Sequence, residues 1–196
     1  MIERSQAHPK VVDLLTRRWS PRAFDASEIP QGDLDVIFEA AAWAPSAYNA
    51  QPWRFCYARR GDANWDRFLG LLMEFNQGWA RNASVLIFAI SDKYMRSGKE
   101  DEPESHSHSF DTGAAWQNLA LQATAMGYHA HGMTGIHVDK AARELGVPDD
   151  YRVEAAIAIG RKAPKEILPE KLQERENPNG RKPASSFAFA GDFHAE

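Results

Sequence analysis

The segment Arg17-Arg18-Trp19-Ser20-Pro21-Arg22-Ala23-Phe24 sets three permanently charged guanidiniums and a hydroxyl around one chain turn. Planar Arg forks match phosphate oxygens, and a serine adds a short hydrogen bond. Taken alone, a solvated basic turn is the simpler reading. The second segment, Ala44-Pro45-Ser46-Ala47-Tyr48-Asn49-Ala50-Gln51-Pro52-Trp53, breaks a helix at Pro45 and continues in small and amide residues. Such a loop exposes hydrogen-bonding groups that can read the edge of a flat heterocycle. Alternatively, it is a decorated helix-to-strand connection.

Other chemistry-bearing residues carry weaker signals. His106-x-His108 and His129-x-His131 place alternate histidines on one face of any extended segment, where each pair could reach one metal ion. No cysteine or carboxylate pattern of a structural zinc site accompanies them, so solvated or hydrogen-bonded histidines are the better reading. Cys56, between Phe55 and Tyr57, reads as a buried, inert thiol. The chain lacks a G-x-G-x-x-G after a strand, a P-loop and a G-x-S-x-G elbow, which argues against classical nucleotide folds and α/β-hydrolases.

The elements that must position these residues follow from periodicity and punctuation. Val11, Val12, Leu14 and Leu15 after Pro9 predict a first helix ending near Trp19, because Pro21 disfavours helical geometry at Ser20. Leu34, Ile37, Phe38 and Ala41 give a second helix one apolar face, and Pro45 stops it. Trp53–Ala58 predicts a strand, and Trp65, Phe68, Leu69 and Leu72 a third helix. Val85–Ile90 reads as a strand buried on both faces. The polar stretch 93–109 is expected to be a surface loop or lid. A long helix over Asp111–Met126 ends at Gly127, a short one over Asp139–Leu145 starts at an Asp cap, and Val153–Ile159 is another buried strand. Residues 161–196 form a tail with Phe187, Phe189 and Phe193 and no evident partner within the chain. Helices and strands alternate without a domain boundary, so one domain over 1–196 of α/β or α+β class is expected.

Composition bounds the function. The chain has 196 residues, a net charge of −4 and one cysteine. Those figures exclude disordered, collagen-like and disulfide-scaffold classes and argue against a nucleic-acid or anionic-membrane coat. No apolar run approaches the length of a membrane span, and Met1–Lys10 lacks the apolar stretch of a secretory signal. A cytoplasmic location is the expectation.

Together the two opening segments are far more specific than either alone. Arg18-Trp19-Ser20-Pro21-Arg22-Ala23-Phe24 and Ala44–Trp53 resemble the R-x-S-x-[RK]-x-F and A-P-S-x-x-N-x-Q-P-W elements of the FMN-dependent nitroreductase family. The resemblance extends to Asn76 ahead of the Ala83–Ile90 strand, Gln117-Asn118-Leu119 in the long helix, Met133-Thr134-Gly135 and Arg181-Lys182-Pro183.

This resemblance implies an α+β fold: a three-layer α/β/α sandwich around a mixed, mainly antiparallel sheet. It implies an intertwined homodimer with the C-terminal arm (about 161–196) exchanged and FMN at the subunit interface. By the same resemblance Arg18, Ser20 and Arg181 hold the phosphate, with Trp19 beside them. Arg22 and Asn76 serve the pyrimidine edge. Pro45, Ser46, Ala47 and Asn49 line the cofactor from the partner subunit, and Met133, Thr134 and Gly135 bring backbone to N5. A second cation after Asn76 is missing, and Trp79 is expected to pack on the flavin or the active-site mouth instead. The implied activity is ping-pong hydride transfer from NADH or NADPH to FMN, and on to a nitroaromatic, quinone or similar electrophile. No dedicated acid–base residue is expected. Alternatives are reductive dehalogenation, with Tyr94, Lys99 and Glu100 gripping a zwitterion, flavin fragmentation, or non-catalytic FMN binding.

Overall fold

The computed structural model describes residues 4–96 and 102–193. Lys99 and Glu100 lie outside the described residues. A 4-stranded sheet in the order β1-β2-β4-β3 forms the middle layer, from β1 (Trp53–Arg59), β2 (Val85–Asp92), β3 (His129–Met133) and β4 (Tyr151–Gly160). All three pairings are antiparallel. Every residue of β2 is buried, as its unbroken apolar run requires of a central strand. The β2–β4 register shifts at Ala89/Ile90, opposite Ala155 and Val153, which makes Glu154 the extra residue of a bulge.

One sheet face carries Val85, Ile87, Ala89, Ile157 and Ile159 under α2 (Gln31–Ala42) and α5 (His108–Ala125). The small residues Ala115, Ala120 and Ala123 bring α5 close to that face. The other face carries Leu86, Phe88, Ile90, Val153 and Ala156. It is covered by α3 (Trp65–Leu69), α4 (Glu74–Ala80) and α6 (Val138–Leu145). A three-layer α+β sandwich results. Among the described residues no helix is long and apolar enough to cross a membrane.

Several expectations need correction. The first helix, α1, spans only Asp13–Arg17, leaving Val11, Val12 and Leu15 exposed. A five-residue helix has too few internal hydrogen bonds to recruit the Pro9 segment. Helix α4 had no apolar signature, because Asn76, Gln77 and Gly78 occupy its middle. His106 lies in a turn and His108 opens α5, so that pair shares no extended segment. Asp139 falls inside the first turn of α6; the cap position belongs to His137, without a side-chain cap bond. Gly127 and Gly146 take left-handed φ of 82° and 66° just past their helices, as C-terminal glycines should.

The tail also differs from expectation in its first half. Phe24 pairs with Lys162, and Ala163, Leu168 and Leu172 join the core; α7 (Glu170–Gln173) carries the last of these. Beyond it, Phe187 and Phe193 are exposed, and the rings of Phe189 and Phe193 meet edge to face.

Candidate functional site

Extended backbone after α1 carries Arg18, Trp19, Ser20 and Arg22 alongside the start of the tail. Ala163 N–H donates to Ala23 O at 2.9 Å, and Asp25 N–H to Arg161 O at 3.1 Å. Glu176 locks the turn from the other side: its Oε1 accepts the backbone N–H groups of Arg22 at 2.6 Å and Ala23 at 2.9 Å. His131 on β3 meets the Pro21 carbonyl through Nδ1 at 2.9 Å.

These segments enclose a cavity of about 530 Å³ lined by Arg4, Arg18, Ser20, Arg22, Asn179 and Arg181, among others. Arg4 stitches it together, donating to the carbonyls of Thr16, Arg18 (2.8 Å) and Asn179 (3.2 Å). Burial and the facing Arg181 lower the proton affinity of both Arg4 and Arg18. Three cations held against one another in this way form a socket whose chemistry suits phosphate oxygens. Burial lowers the proton affinity of the Arg22 guanidinium too, against an opposing pull from Glu176 at 3.8 Å, and its buried Nε has no hydrogen-bond partner among the described residues. Arg17 is not part of the cluster; it turns outward to Asp13 at 2.6 Å.

A second cavity of about 480 Å³ shares Arg18 and Ser20 with the first. It runs over Ala89, Ala155 and Ile157 of the sheet, past Met133 and Thr134, beneath the first turns of α5. Together the two cavities provide an arginine socket opening onto a slot with a flat, largely apolar floor. That shape fits a phosphate joined to a planar ring system.

Five of the residues singled out from the sequence, Arg18, Trp19, Ser20, Arg22 and Arg181, line the first cavity; Met133 and Thr134 line the second. Asn76 and Gly135 line neither. The Asn76 amide is buried, with Nδ2 donating to Gly135 O at 2.9 Å and Oδ1 accepting from Trp79 Nε1 at 3.2 Å. Trp79 therefore does not reach a cavity mouth. It is 1% exposed, packed between Phe24 and the His131 ring, which lies 4.6 Å from it.

Pro45, Ser46, Ala47 and Asn49 also line neither cavity. Their loop is tied to α5 by Ala47 N–H donating to buried Asp111 at 3.0 Å. Tyr48, Asn49 and Gln51 all hold left-handed φ, at 51°, 55° and 49°. Non-glycine residues rarely take that conformation, so three of them within four positions set this loop apart. Trp43, Tyr48 and Phe110, on the segments joined here, are 80%, 92% and 81% exposed.

Sequence reasoning missed Arg4, Arg175 and Glu176 at the first cavity, and Ser109, Thr112 and Glu154 at the second. None had a local signal, since each reaches its site through long-range folding.

Comparison with known proteins agrees with this geometry. A solved structure described as an oxidoreductase containing FMN superposes with a TM-score of 0.94 at 50% identity, covering 97% of this chain and 96% of that one. An uncharacterized 15.4 kDa protein of Mycolicibacterium smegmatis is 33% identical over 147 residues, 70% of this chain and 95% of that protein. The enone reductase of CLA biosynthesis from Lactiplantibacillus plantarum is 27% identical over 187 residues, 78% of this chain and 86% of that enzyme. The Nitroreductase family model matches residues 15–78 and 63–161. With socket, slot and fold in agreement with a match across most of its length, this chain belongs to the nitroreductase family.

Proposed function

We propose that this protein is an FMN-dependent oxidoreductase that takes hydride from NADH or NADPH and reduces nitroaromatic, quinone or similar electrophiles. The observation that carries the reading is the mutually repelling Arg4–Arg18–Arg181 socket opening onto the flat slot. When bound, FMN supplies the hydride-accepting ring, and the protein supplies position and field. Arg4, Arg18, Ser20 and Arg181 would hold its phosphate. Arg22, desolvated and fixed by Glu176, is a cation suited to the negative charge that reduction leaves on a ring edge. Met133 and Thr134 offer backbone at the slot, with Gly135 next in the chain, and none of the three carries a titrating side chain.

The working unit in this reading is a homodimer. Pro45, Ser46, Ala47 and Asn49 would serve the partner's cofactor, which accounts for their standing off both cavities. The exposed Trp43, Tyr48 and Phe110, and the phenylalanines of the 187–193 stretch, would pack on the second subunit.

The test is anaerobic reduction of FMN-reconstituted protein with NADH and with NADPH, followed by an acceptor screen. Bleaching of the bound flavin by either nucleotide and its return with an acceptor supports the reading. Purified protein that is colourless, and stays so with added FMN, overturns it.

A further inference from the structure

The face of the sheet opposite the slot carries a third cavity, of about 290 Å³, between β1 and the turn that follows α6. Arg54 and Cys56, two apart on β1, share one side of the sheet, and Ile90 of β2 stands directly across from Arg54. Val147, Pro148 and Tyr151 complete most of the wall. The Tyr151 hydroxyl is engaged by the Asp92 carboxylate, so Arg54 is the polar group this wall leaves available. At that volume the cavity is at the small end of ligand sites and suits a single ring or a short branched chain.

Its charge is one-sided. Among the described residues no carboxylate lines the cavity, and none pairs with Arg54. The guanidinium is nevertheless held in place: Nη1 donates to Gln51 O at 3.0 Å and to Trp53 O at 2.8 Å. That leaves the Nε–Nη2 edge, the fork that grips a carboxylate through two parallel bonds. A cation fixed beforehand has little freedom left to lose when a ligand arrives. Arg67 adds to the same field. Burial pushes the partly buried Cys56 thiol up, and the Arg67 guanidinium pulls it back down. Arg67 itself is tied to a neutral acceptor, the Glu144 carbonyl at 2.8 Å, which leaves its charge uncancelled. Apolar walls with a fixed, unpaired cation match a ligand that is apolar at one end and anionic at the other.

We propose that this cavity is a binding site for a small apolar carboxylate, its carboxyl group gripped by Arg54 and its apolar body seated against Ile90, Val147 and Pro148. The site is separate from the slot, which uses the opposite face of the sheet, and it does not depend on the oxidoreductase reading. An uncharged analogue leaves the Arg54 fork empty. An ammonium in the same place meets Arg54 as a like charge.

Cys56 is the one cysteine of the sequence, so thiol labelling reports on this cavity alone. Iodoacetamide labelling of the protein with FMN added is followed by mass spectrometry in the presence of benzoate, benzyl alcohol or acetate. Saturating benzoate is expected to slow labelling about tenfold or more. Benzyl alcohol, which lacks the charge, and acetate, which lacks the ring, should need about tenfold or more higher concentration for the same protection. Arg54→Gln should weaken protection by benzoate about tenfold, and Arg54→Lys, which keeps the charge without the fork, should fall between. Calorimetry of the unsubstituted protein with benzoate against benzyl alcohol carries the test if the variants do not fold. Equal protection by benzoate and benzyl alcohol, or protection unmoved in Arg54→Gln, overturns the inference. A thiol that no reagent reaches without ligand means that the chain or a second copy already fills the cavity, and overturns it equally. If NADH and NADPH fail to bleach the flavin, the oxidoreductase reading fails by itself, and labelling still decides this site.

Discussion

Glu176 and Arg22 meet across the fold: one Glu176 carboxylate oxygen accepts the Arg22 backbone N–H at 2.6 Å, while the other lies 3.8 Å from the Arg22 guanidinium. One acidic residue thus sets both the path of the turn and the position of its cation. Glu176→Ala strips the acceptor from two backbone N–H groups and the counter-charge from Arg22. We expect a stability loss of about 1–3 kcal/mol in urea melts, with FMN affinity falling about tenfold in fluorescence titration. Glu176→Gln keeps an acceptor and should retain most of the stability. An alanine variant that melts like wild type would show that the turn is held by other contacts.

The arginine socket separates phosphate from ring recognition. Arg181→Ala should weaken FMN by about tenfold or more, the worth of a charge-assisted hydrogen bond, while leaving riboflavin, which lacks the phosphate, nearly unaffected. The wild-type preference for FMN over riboflavin should also shrink as salt rises. Parallel titrations of both flavins check this, and equal losses for the two would refute it.

Gly135 is constrained by close approach: a Cβ there would sit 2.4 Å from Asn76 Nδ2. Gly135→Ala must displace the amide, costing its bonds to Gly135 O and Trp79 Nε1. Destabilisation of about 1–3 kcal/mol is expected. In Asn76→Ala the added methyl should cost less, so a double-mutant cycle should be clearly non-additive. Additive effects would mean that the two residues do not share a constraint.

Burial lowers the proton affinity of both His129 and His131, with Lys162 reinforcing the effect at the first and Arg22 at the second, where the Pro21 carbonyl opposes it. The unfolded chain therefore takes up protons near about pH 6.5 that the folded chain does not. Stability contributed by the neutral rings is whole above that pH and declines as pH falls through and below it. Thermal melts from about pH 8 down to about pH 5 should show the decline, and a His129→Gln/His131→Gln variant should flatten it. The carboxylate of Asp92, whose proton affinity is also lowered, acts only at lower pH.

If the exposed ring patch covers a second subunit, Trp43→Glu with Phe110→Glu should shift sedimentation from dimer to monomer. FMN affinity should fall with it, because the 45–49 loop would no longer reach the partner's slot. A dimer that persists, or a monomer that keeps full affinity, contradicts the shared site.

What was legible from the sequence follows physical range. Strand β2 announces itself through an unbroken apolar run, and α2 through one apolar face closed by Pro45. By contrast, β3 reads His-Ala-His-Gly-Met, and its identity comes from pairing with β4 and from the Trp79 and Trp19 rings packed on its histidines. Likewise Arg18, Ser20 and Arg22 stand together in sequence and could be read as one device. Arg4, Glu176 and Glu154 could not, because each acquires its role from residues far along the chain. Arg17 shows the converse error: adjacency suggested the socket, while a nearer carboxylate, Asp13, claimed the side chain.

The stitching of the cavity from opposite regions of the chain also orders events in time. Arg18 and Ser20 are made well before Glu176, Asn179 and Arg181, which lie far along the chain from them. During translation the turn after α1 waits without its acceptor, and the early arginines face one another without the wall that encloses them. Contacts so distant in sequence form late and slowly. If this cavity takes a phosphate-bearing ligand, loading has to wait until the 174–181 stretch has docked.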